Sequence, residues 1–312
     1  MKLCVVLLLL LLQTCSASTY QNVALRGKAT QSDSYVHIGF ASNAIDGNRD
    51  HKFYSGSCSH TDESSNPWWR VDLLEPYIVT SVIISNRADC CSEKLLGAKI
   101  HIGNSLDNNG LTNPVVGRIS TIEALHTMTF TDRVEGRYVT VRILGDGKVL
   151  TLCEVEVYGY HAPTEENLAI QGKAAQSSLY SFYSPYYAID GSRDSKFDDG
   201  SKVMSCSVTN NELNPWWRLT LHKTHKVFSV KITNRNAVPE RINGAEIRIG
   251  DSLVNNGADN PRFALITGIP AGQTAEFEVA NGMDGRYVYI GIPGRQEYLT
   301  LCEVEVYGSA LD

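Results

Sequence analysis

The sequence has little that would suit a membrane-spanning, nucleic-acid-binding or catalytic protein. After its first residues, no stretch approaches the 18 uninterrupted apolar residues of a spanning helix. It has no cluster of Lys and Arg, and its net charge of −6 argues against binding that depends on neutralised phosphates. No nucleophile elbow, HExxH zinc motif or Gly-rich phosphate loop is present, so we expect no enzyme. N-glycosylation is not expected either, because no Asn-x-Ser/Thr sequon occurs.

Residues 1–18, MKLCVVLLLLLLQTCSAS, predict a secretory signal peptide. Lys2 precedes an apolar run over 3–12, and small residues suited to signal peptidase follow at 16–18. The run is about half as long as a membrane span. We therefore expect a secreted, extracellular protein without a transmembrane segment.

An internal repeat with a period of 144 to 149 residues organises the remaining chain. NVALRGKATQS at residue 22 recurs as NLAIQGKAAQS at 167, AIDGNRD at 44 as AIDGSRD at 188, NPWWRVDL at 66 as NPWWRLTL at 214, and LTLCEVEVYG at 150 again at 299. The repeat predicts two whole domains, 19–160 and 167–312. The segment HAPTEE at 161–166 is typical of a short exposed linker.

Short β-type runs separated by turn residues fill each repeat, as in YIVTSVIIS from Tyr77 and RYVTVRIL from Arg137. Helical periodicity is scarce. The alternation in CEVEVYG from Cys153 predicts a half-buried strand with Glu154 and Glu156 on its polar face. The fold class is therefore all-β, with two tandem β-sandwich domains.

Six cysteines lie beyond the signal peptide, in an oxidising compartment. Cys58 and Cys206 occupy matching places in the two repeats, and Cys153 and Cys302 occupy matching places in the final strand. We therefore predict the bridges Cys58–Cys153 and Cys206–Cys302, each worth about 4–5 kcal/mol in the chain-entropy model. The adjacent Cys90 and Cys91 form either a vicinal disulfide or two thiols that are free or paired between molecules.

One motif in the first repeat resembles that of the F-type lectins, the fucolectin family of fucose-binding proteins. The family motif is a His, 26 intervening residues, Arg-x-Asp, four more residues and then Arg or Lys. The chain has His60, Arg87, Asp89 and Lys94 at this spacing, and the pair Cys90-Cys91 follows the Asp. The resemblance covers both repeats, and it implies jelly-roll domains of the discoidin-like, galactose-binding-like type.

The resemblance implies a site for terminal L-fucose. Arg87, Lys94 and the imidazole N–H of His60 would donate to the sugar oxygens, and Asp89 would orient Arg87. Asp89 as a simple turn former is the alternative. By family analogy, Phe53 and Tyr54 would form the wall for the 6-methyl group. The disulfide Cys90–Cys91 would give a flat surface for one edge of the ring.

The second repeat departs from the motif. Val208 stands at the place of His60, Ala237 replaces Asp89, and Val238-Pro239 replace the cysteine pair. The loop is one residue shorter before Arg241, and Arg235 is retained. We expect Arg235 and Arg241 to bind sugar more weakly or with altered specificity.

The resemblance also implies one mainly structural Ca²⁺ in each domain, an ion that prefers six to eight oxygen ligands. AIDG as a simple turn is the alternative. The implied ligands are Asn43, Asp46, Asn48, Ser57, Cys153 and Glu154 in the first repeat, and Tyr187, Asp190, Ser192, Ser205, Cys302 and Glu303 in the second.

The Trp pairs of NPWWR occur in both repeats, including the one with the altered motif, which favours core packing over sugar stacking. The expected function is a secreted, calcium-containing lectin that recognises fucosylated glycans on microbial or host cells, in innate immune recognition or agglutination. Two domains suit multivalent binding, to which a homo-oligomer would add. The alternative is a discoidin-like module that binds lipid or protein surfaces without fucose specificity.

Overall fold

The computed structural model describes residues 20–196 and 204–311, so the predicted signal peptide lies outside the described residues. The chain divides into two compact units, with the boundary between Tyr160 and His161. The last strand of the first unit thus reaches the first residue of the predicted linker. Among the described residues, no helix has both the length and the apolarity needed to cross a membrane.

The described residues of the first unit form eight strands and five short 3₁₀ helices. The strands are β1 (Lys28–Gln31), β2 (Ser59–His60), β3 (Trp68–Ser85), β4 (Lys99–Gly103), β5 (Val115–Arg118), β6 (Leu125–Arg142), β7 (Thr151–Leu152) and β8 (Glu154–His161). The 3₁₀ helices are Val23–Arg26, Ala41–Ala44, Phe53–Ser55, Ser92–Leu95 and Asp107–Gly110.

The second unit repeats this order over its described residues, with two additional short strands. Its strands are β9 (Lys173–Gln176), β10 (Ser207–Val208), β11 (Glu212–Leu213), β12 (Trp216–Thr233), β13 (Glu246–Gly250), β14 (Arg262–Leu265), β15 (Thr274–Gly291), β16 (Gln296–Glu297), β17 (Thr300–Leu301) and β18 (Glu303–Ala310). Its 3₁₀ helices are Leu168–Gln171, Pro185–Ala188, Pro239–Ile242 and Val254–Gly257.

Two strands of 18 residues form the frame of each unit, and register shifts divide them into halves. In the first unit the sheet order is β1-β3-β6-β4-β5, with β8 also paired to β3. In the second unit β9 pairs with β12 over Trp217–Thr220, and β18 pairs with β12 over His225–Thr233. The halves of a long strand therefore serve different layers, which confirms the all-β sandwich.

Alternate residues of the long strands fill the core of each unit. In β3, Trp69, Val71 and Leu73 are buried, and Trp217 and Leu219 repeat this pattern in β12. The prediction of core packing is thus confirmed for the second Trp of each pair. The first Trp is only half-buried because successive side chains of a strand point to opposite faces.

The asparagine that opens each repeat joins the beginning of a unit to its last strand. Asn22 Oδ1 accepts hydrogen bonds from the backbone N–H of Ala24, at 3.2 Å, and of Val157, at 3.0 Å. Asn167 Oδ1 accepts the corresponding bonds from Ala169 and Val306, both at 3.0 Å. One side chain thereby caps a 3₁₀ helix and pairs a buried strand N–H.

The prediction of a half-buried strand with Glu154 and Glu156 on its polar face is wrong about burial. Both carboxylates are buried, because loop 46–49 covers this face of β8. Glu156 forms an ion pair with Arg49 and accepts a hydrogen bond from the Tyr158 hydroxyl at 2.5 Å. Strand alternation correctly predicts two faces, but it does not reveal that a distant loop supplies partners to the acidic one.

The structure contains the bridges Cys58–Cys153, Cys90–Cys91 and Cys206–Cys302. The first and third join segments 95 and 96 residues apart, so each ties the segment before a long strand to the start of the last strand. The second resolves the alternatives for the adjacent cysteines in favour of a vicinal disulfide.

Candidate functional site

The short strand β2 places His60 at one end of the first unit. His60 is the register partner of Thr151 in β7, and its backbone N–H donates to the Gly39 carbonyl at 3.1 Å. A Cβ at Gly39 would lie 2.7 Å from the Tyr35 carbonyl oxygen and 3.0 Å from that of His60, so only glycine allows loop 33–39 to pack this closely on His60. The loop therefore brings Tyr35 against His60, with 4.8 Å between the ring centroids.

The imidazole of His60 is buried and presents an acceptor rather than the expected donor. Its Nδ1 lies 2.7 Å from the carbonyl oxygen of Thr61, which can only accept, so Nδ1 carries the proton. Burial lowers the pKa of His60 below 6.5, and the charges of Arg87 and Lys94 lower it further. In the neutral ring Nε2 is an acceptor. The expectation that an imidazole N–H donates to the ligand is therefore wrong for this geometry.

Arg87 follows the long strand β3 and is itself buried. Its Nε donates to Asp89 Oδ1 at 2.5 Å, which is the orienting contact expected for this carboxylate. The same ion pair lowers the pKa of Asp89. The guanidinium carbon also lies 4.7 Å from the ring centroid of Phe53, within cation–π range. Arg87 is thus held in one orientation by a carboxylate and an aromatic face.

The vicinal disulfide and Lys94 lie on the same short loop as Arg87. Cys91 has a left-handed backbone (φ 61°), and the 3₁₀ helix Ser92–Leu95 begins directly after it. Leu95 is buried and anchors that helix in the core, whereas Lys94 is exposed. The structure therefore brings His60, Arg87, Asp89, Cys90–Cys91 and Lys94 to one end of the unit.

The prediction that Phe53 forms an exposed apolar wall is wrong. Phe53 is 1% exposed and packs on the bridge Cys58–Cys153, with its ring 4.9 Å from that of His60. Phe53 therefore contributes to the site by packing against His60 and Arg87 from the interior of the protein. Tyr54 is 81% exposed and remains available at the rim. Tyr35, at 44% exposed, is a rim residue that the sequence analysis missed.

A pocket of about 290 Å³ occupies the corresponding place in the second unit. Val208 is the register partner of Thr300, as His60 is of Thr151. The residues that line this pocket are Tyr180, Val208, Arg235, Ala237, Val238, Arg241 and Tyr298. The two arginines predicted from the sequence therefore do meet in one concave site, and an apolar side chain replaces the imidazole.

Arg235 and Arg241 differ in surroundings. Arg235 is buried, and burial together with the charge of Arg241 lowers its pKa. The guanidinium carbon of Arg241 lies 4.9 Å from the ring centroid of Tyr298, and its Nε lies 3.5 Å from Glu297 Oε1. The pocket therefore combines two cations with aromatic and aliphatic walls.

The predicted alignment of Val238-Pro239 with the cysteine pair is off by one residue. Val238 has the left-handed backbone of Cys91 (φ 46° against 61°) and directly precedes a 3₁₀ helix, Pro239–Ile242. Val238 thus takes the place of Cys91, and the deleted residue lies before it. Because of this shift, Arg241 has the same helical position as Lys94.

Two tyrosines of the second pocket were also missed. Tyr180 stands four residues after Gln176, as Tyr35 stands four residues after Gln31. An aromatic residue at the same place in both repeats was a signal that the sequence contained. Tyr298 had no such signal, because its counterpart in the first repeat is Val149.

The two carboxylates of the implied metal set in the first unit belong to Asp46, in loop 46–49, and to Glu154, in β8. The loop and the strand are in contact there. Glu154 Oε1 accepts a hydrogen bond from the Gly47 N–H at 3.1 Å, and Glu154 Oε2 is buried without a hydrogen-bond partner. Burial, with the nearby charge of Asp46, raises the pKa of Glu154 to about 7. An unsatisfied buried carboxylate oxygen beside a second carboxylate fits a bound cation.

The second unit repeats this arrangement. Glu303 Oε2 is buried without a hydrogen-bond partner, Gly191 N–H donates to Glu303 Oε1 at 3.1 Å, and burial raises the pKa of Glu303 to about 8. Residues 20–196 and 204–311 hold no group of three or more His, Cys, Asp or Glu side chains placed for a metal. The implied sets have two carboxylates each, and their other members would use carbonyl, hydroxyl or amide oxygens.

Comparisons with known proteins agree with this organisation. The family model of the NedA-like, galactose-binding domain matches residues 43–141 and 187–290. Fucolectin-1 of Anguilla japonica is 55% identical over 143 residues, which is 44% of this chain and 80% of the relative. Fucolectin of Anguilla anguilla is 51% identical over 145 residues, 45% of this chain and 91% of the relative.

Among solved structures, the f-lectin (fucolectin) from the serum of Morone saxatilis, the striped bass, is similar over both units. It is 65% identical, covers 94% of this chain and 99% of its own, and superposes with a TM-score of 0.90.

The protonation of His60 is directly testable. We expect ring ¹⁵N shifts in nuclear magnetic resonance to report a proton on Nδ1 and none on Nε2 at neutral pH, because Nδ1 is bonded to the Thr61 carbonyl. The titration midpoint should lie below pH 6.5, because the ring is buried and lies near the charges of Arg87 and Lys94, which lower its pKa. Loss of the signal in His60→Ala assigns it. A midpoint above 6.5, or a neutral ring protonated on Nε2, contradicts the geometry.

Proposed function

The chain belongs to the F-type lectin (fucolectin) family, and from that premise we propose that it binds terminal L-fucose of glycans through its first domain. The observation that carries the proposal is that Arg87 and Lys94 lie near enough to His60 for their charges to act on its ring, on the loop that holds the disulfide Cys90–Cys91. These groups offer one acceptor and two charged donors to a sugar hydroxyl. The family and the fucolectin relatives support carbohydrate binding. We propose binding without a reaction, so the sugar is released chemically unchanged.

The axial 4-hydroxyl of fucose suits the three polar groups. Its proton is donated to His60 Nε2, while its oxygen accepts from Arg87 and Lys94. Because Arg87 is already oriented by Asp89, little rotational freedom is lost on binding. The flat disulfide faces one edge of the ring, and the exposed Tyr35 and Tyr54 offer apolar surface to the 6-methyl group.

For the second domain we propose a sugar pocket of altered specificity. Val208 removes the acceptor that His60 supplies, and Ala237 removes the carboxylate that orients the first arginine. The tyrosines at 180 and 298 enlarge the apolar walls. Such a pocket favours a sugar face richer in C–H groups, or a glycan longer than one residue.

Two linked sugar sites support a role in cross-linking. A second engaged site multiplies the effective affinity by about 10² to 10⁴ where geometry permits, so weak monosaccharide binding becomes useful on a surface that displays many glycans. We propose secretion, agglutination of fucose-bearing cells and a part in innate immune recognition. The serum origin of the striped-bass relative supports an extracellular location.

A structural Ca²⁺ in each domain completes the proposal. In the first domain the oxygens of Asn43, Asp46, Asn48, Ser57, Cys153 and Glu154 would hold it. The orphaned Glu154 Oε2 supports this set, as Glu303 Oε2 supports the corresponding set of the second domain. The ion neutralises a buried carboxylate and ties the AIDG loop to the last strand.

Calorimetric titration of L-fucose into the full chain tests the sugar site. Relative to the wild type, Arg87→Gln should lose one site per chain, or at least about tenfold in its affinity, because a charged hydrogen bond is worth about 1.5–3 kcal/mol. Arg133→Gln, an exposed position, is the matched control and should titrate as the wild type does. Wild-type binding by a folded Arg87→Gln protein would contradict the proposed site.

Thermal unfolding with and without calcium tests the metal proposal. Millimolar CaCl₂ should raise the unfolding midpoint of the chelated protein, since an ion bound only by the folded state stabilises it by mass action. Glu154→Gln should lose the part of this rise that belongs to the first domain, and the exposed control Glu123→Gln should keep it. No rise in the wild type would rule out a stabilising calcium.

A further inference from the structure

A row of positive side chains crosses the outer face of the sheet in the first unit. Trp68, Arg142 and Lys99 are successive partners across β3, β6 and β4, and Arg118 of β5 pairs with Lys99. Partners in register point to the same face of a sheet, and strands lie about 4.8 Å apart. Arg142, Lys99 and Arg118, called here the cationic row, therefore stand side by side over about 10 Å.

No carboxylate neutralises this row within the part of the chain that the structure describes. Its three members form none of the ion pairs found there, and Arg142 Nε is buried without a hydrogen-bond partner. Asp72, two residue pairs further along the face, is occupied by Arg137 at 2.7 Å. Like charges that face each other across a sheet repel, so an anion placed over the row would relieve this repulsion.

The second unit arranges the same register positions differently. Trp216 pairs with Gly291, Gly291 with Glu246, and Glu246 with Leu265. Glu246 forms ion pairs with Arg248, with 2.6 Å between Oε2 and Nη2, and with Arg262, with 3.1 Å between Oε1 and Nη1. The neighbouring cations are thus neutralised within the protein. The frame itself does not require a cationic row, since among the described residues the second unit has a carboxylate, Glu246, at the register position of Lys99.

We propose that the cationic row and Trp68 form a second carbohydrate surface, which binds the sulfate groups of a sulfated glycan. The arginines present forked donors that match an oxyanion, and Lys99 between them adds a compact charge. Half-buried Trp68 at the end of the row holds the guanidinium of Arg70 5.5 Å from its ring centroid, and the exposed part of the ring adds apolar surface for a sugar. These residues are separate from the proposed fucose site, so sulfated-glycan binding by this surface does not depend on fucose binding.

The size of the row favours a sulfated glycan over nucleic acid. Three cations over about 10 Å match one or two sulfate groups, whereas specific DNA binders neutralise about 6–10 phosphates. The net charge of −6 also opposes a long polyanion, because a longer polyanion extends beyond the row and is repelled by the rest of the chain.

The test uses a fluorescent heparin octasaccharide and the full-length protein, with anisotropy as the readout. The wild type should bind it, with an affinity that falls as salt rises, and should not bind the chemically desulfated octasaccharide. Lys99→Gln combined with Arg118→Gln should weaken binding at least about tenfold. Arg262→Gln, which removes one cation from the matched face of the second unit, should change it less than about twofold.

Folding and fucose binding serve as controls. The double variant should keep its thermal midpoint and its titration with L-fucose, and the single exposed change Arg118→Gln should show part of the same loss. Unchanged heparin binding in the folded double variant, or an equal loss in Arg262→Gln, would overturn the proposal. An oligonucleotide of equal charge that binds as tightly as the octasaccharide would also overturn it, in favour of an unspecific polyanion surface.

Discussion

The bridge Cys58–Cys153 is the constraint on which the first site depends. It joins the segment before the long strand β3 to the start of the last strand, and Phe53 packs directly on it. Phe53 in turn packs against the imidazole of His60 and the guanidinium of Arg87. Glu154 directly follows Cys153, and its buried carboxylate accepts a hydrogen bond from Gly47 in loop 46–49. A single covalent link thus positions both the proposed sugar site and the implied cation site.

The two units show how one frame holds two different sites. Both retain the bridge, the long strands, the asparagine cap and the buried glutamate of the last strand. The differences that bear on binding lie around the two sites and on the outer face of the sheet. Val208 replaces an imidazole, a one-residue deletion moves Val238 into the place of Cys91, and Glu246 replaces a cation. Val238 and Glu246 lie outside the core, so these two changes alter the surface at little cost in stability, whereas Val208 and His60 are both buried.

The sequence predicted the repeat and the β-strands, because spacing and periodicity encode them directly, whereas the polar site residues were implied by the resemblance to the F-type lectins. It did not predict features that depend on contacts between distant segments. The proton on His60 Nδ1 is set by the Thr61 carbonyl, the burial of Phe53 by the disulfide beneath it, and the burial of Glu156 by Arg49. The cationic row was equally invisible, since its members come from separate strands and meet only through sheet register.

The most direct test of this account is a crystal structure of the full chain with L-fucose. We predict a fucose in the first domain whose axial hydroxyl lies within hydrogen-bond distance of His60 Nε2, Arg87 and Lys94, with the ring against Cys90–Cys91. A sugar bound elsewhere on the first domain, or an accessible first site left empty at saturating fucose, would contradict the central claim.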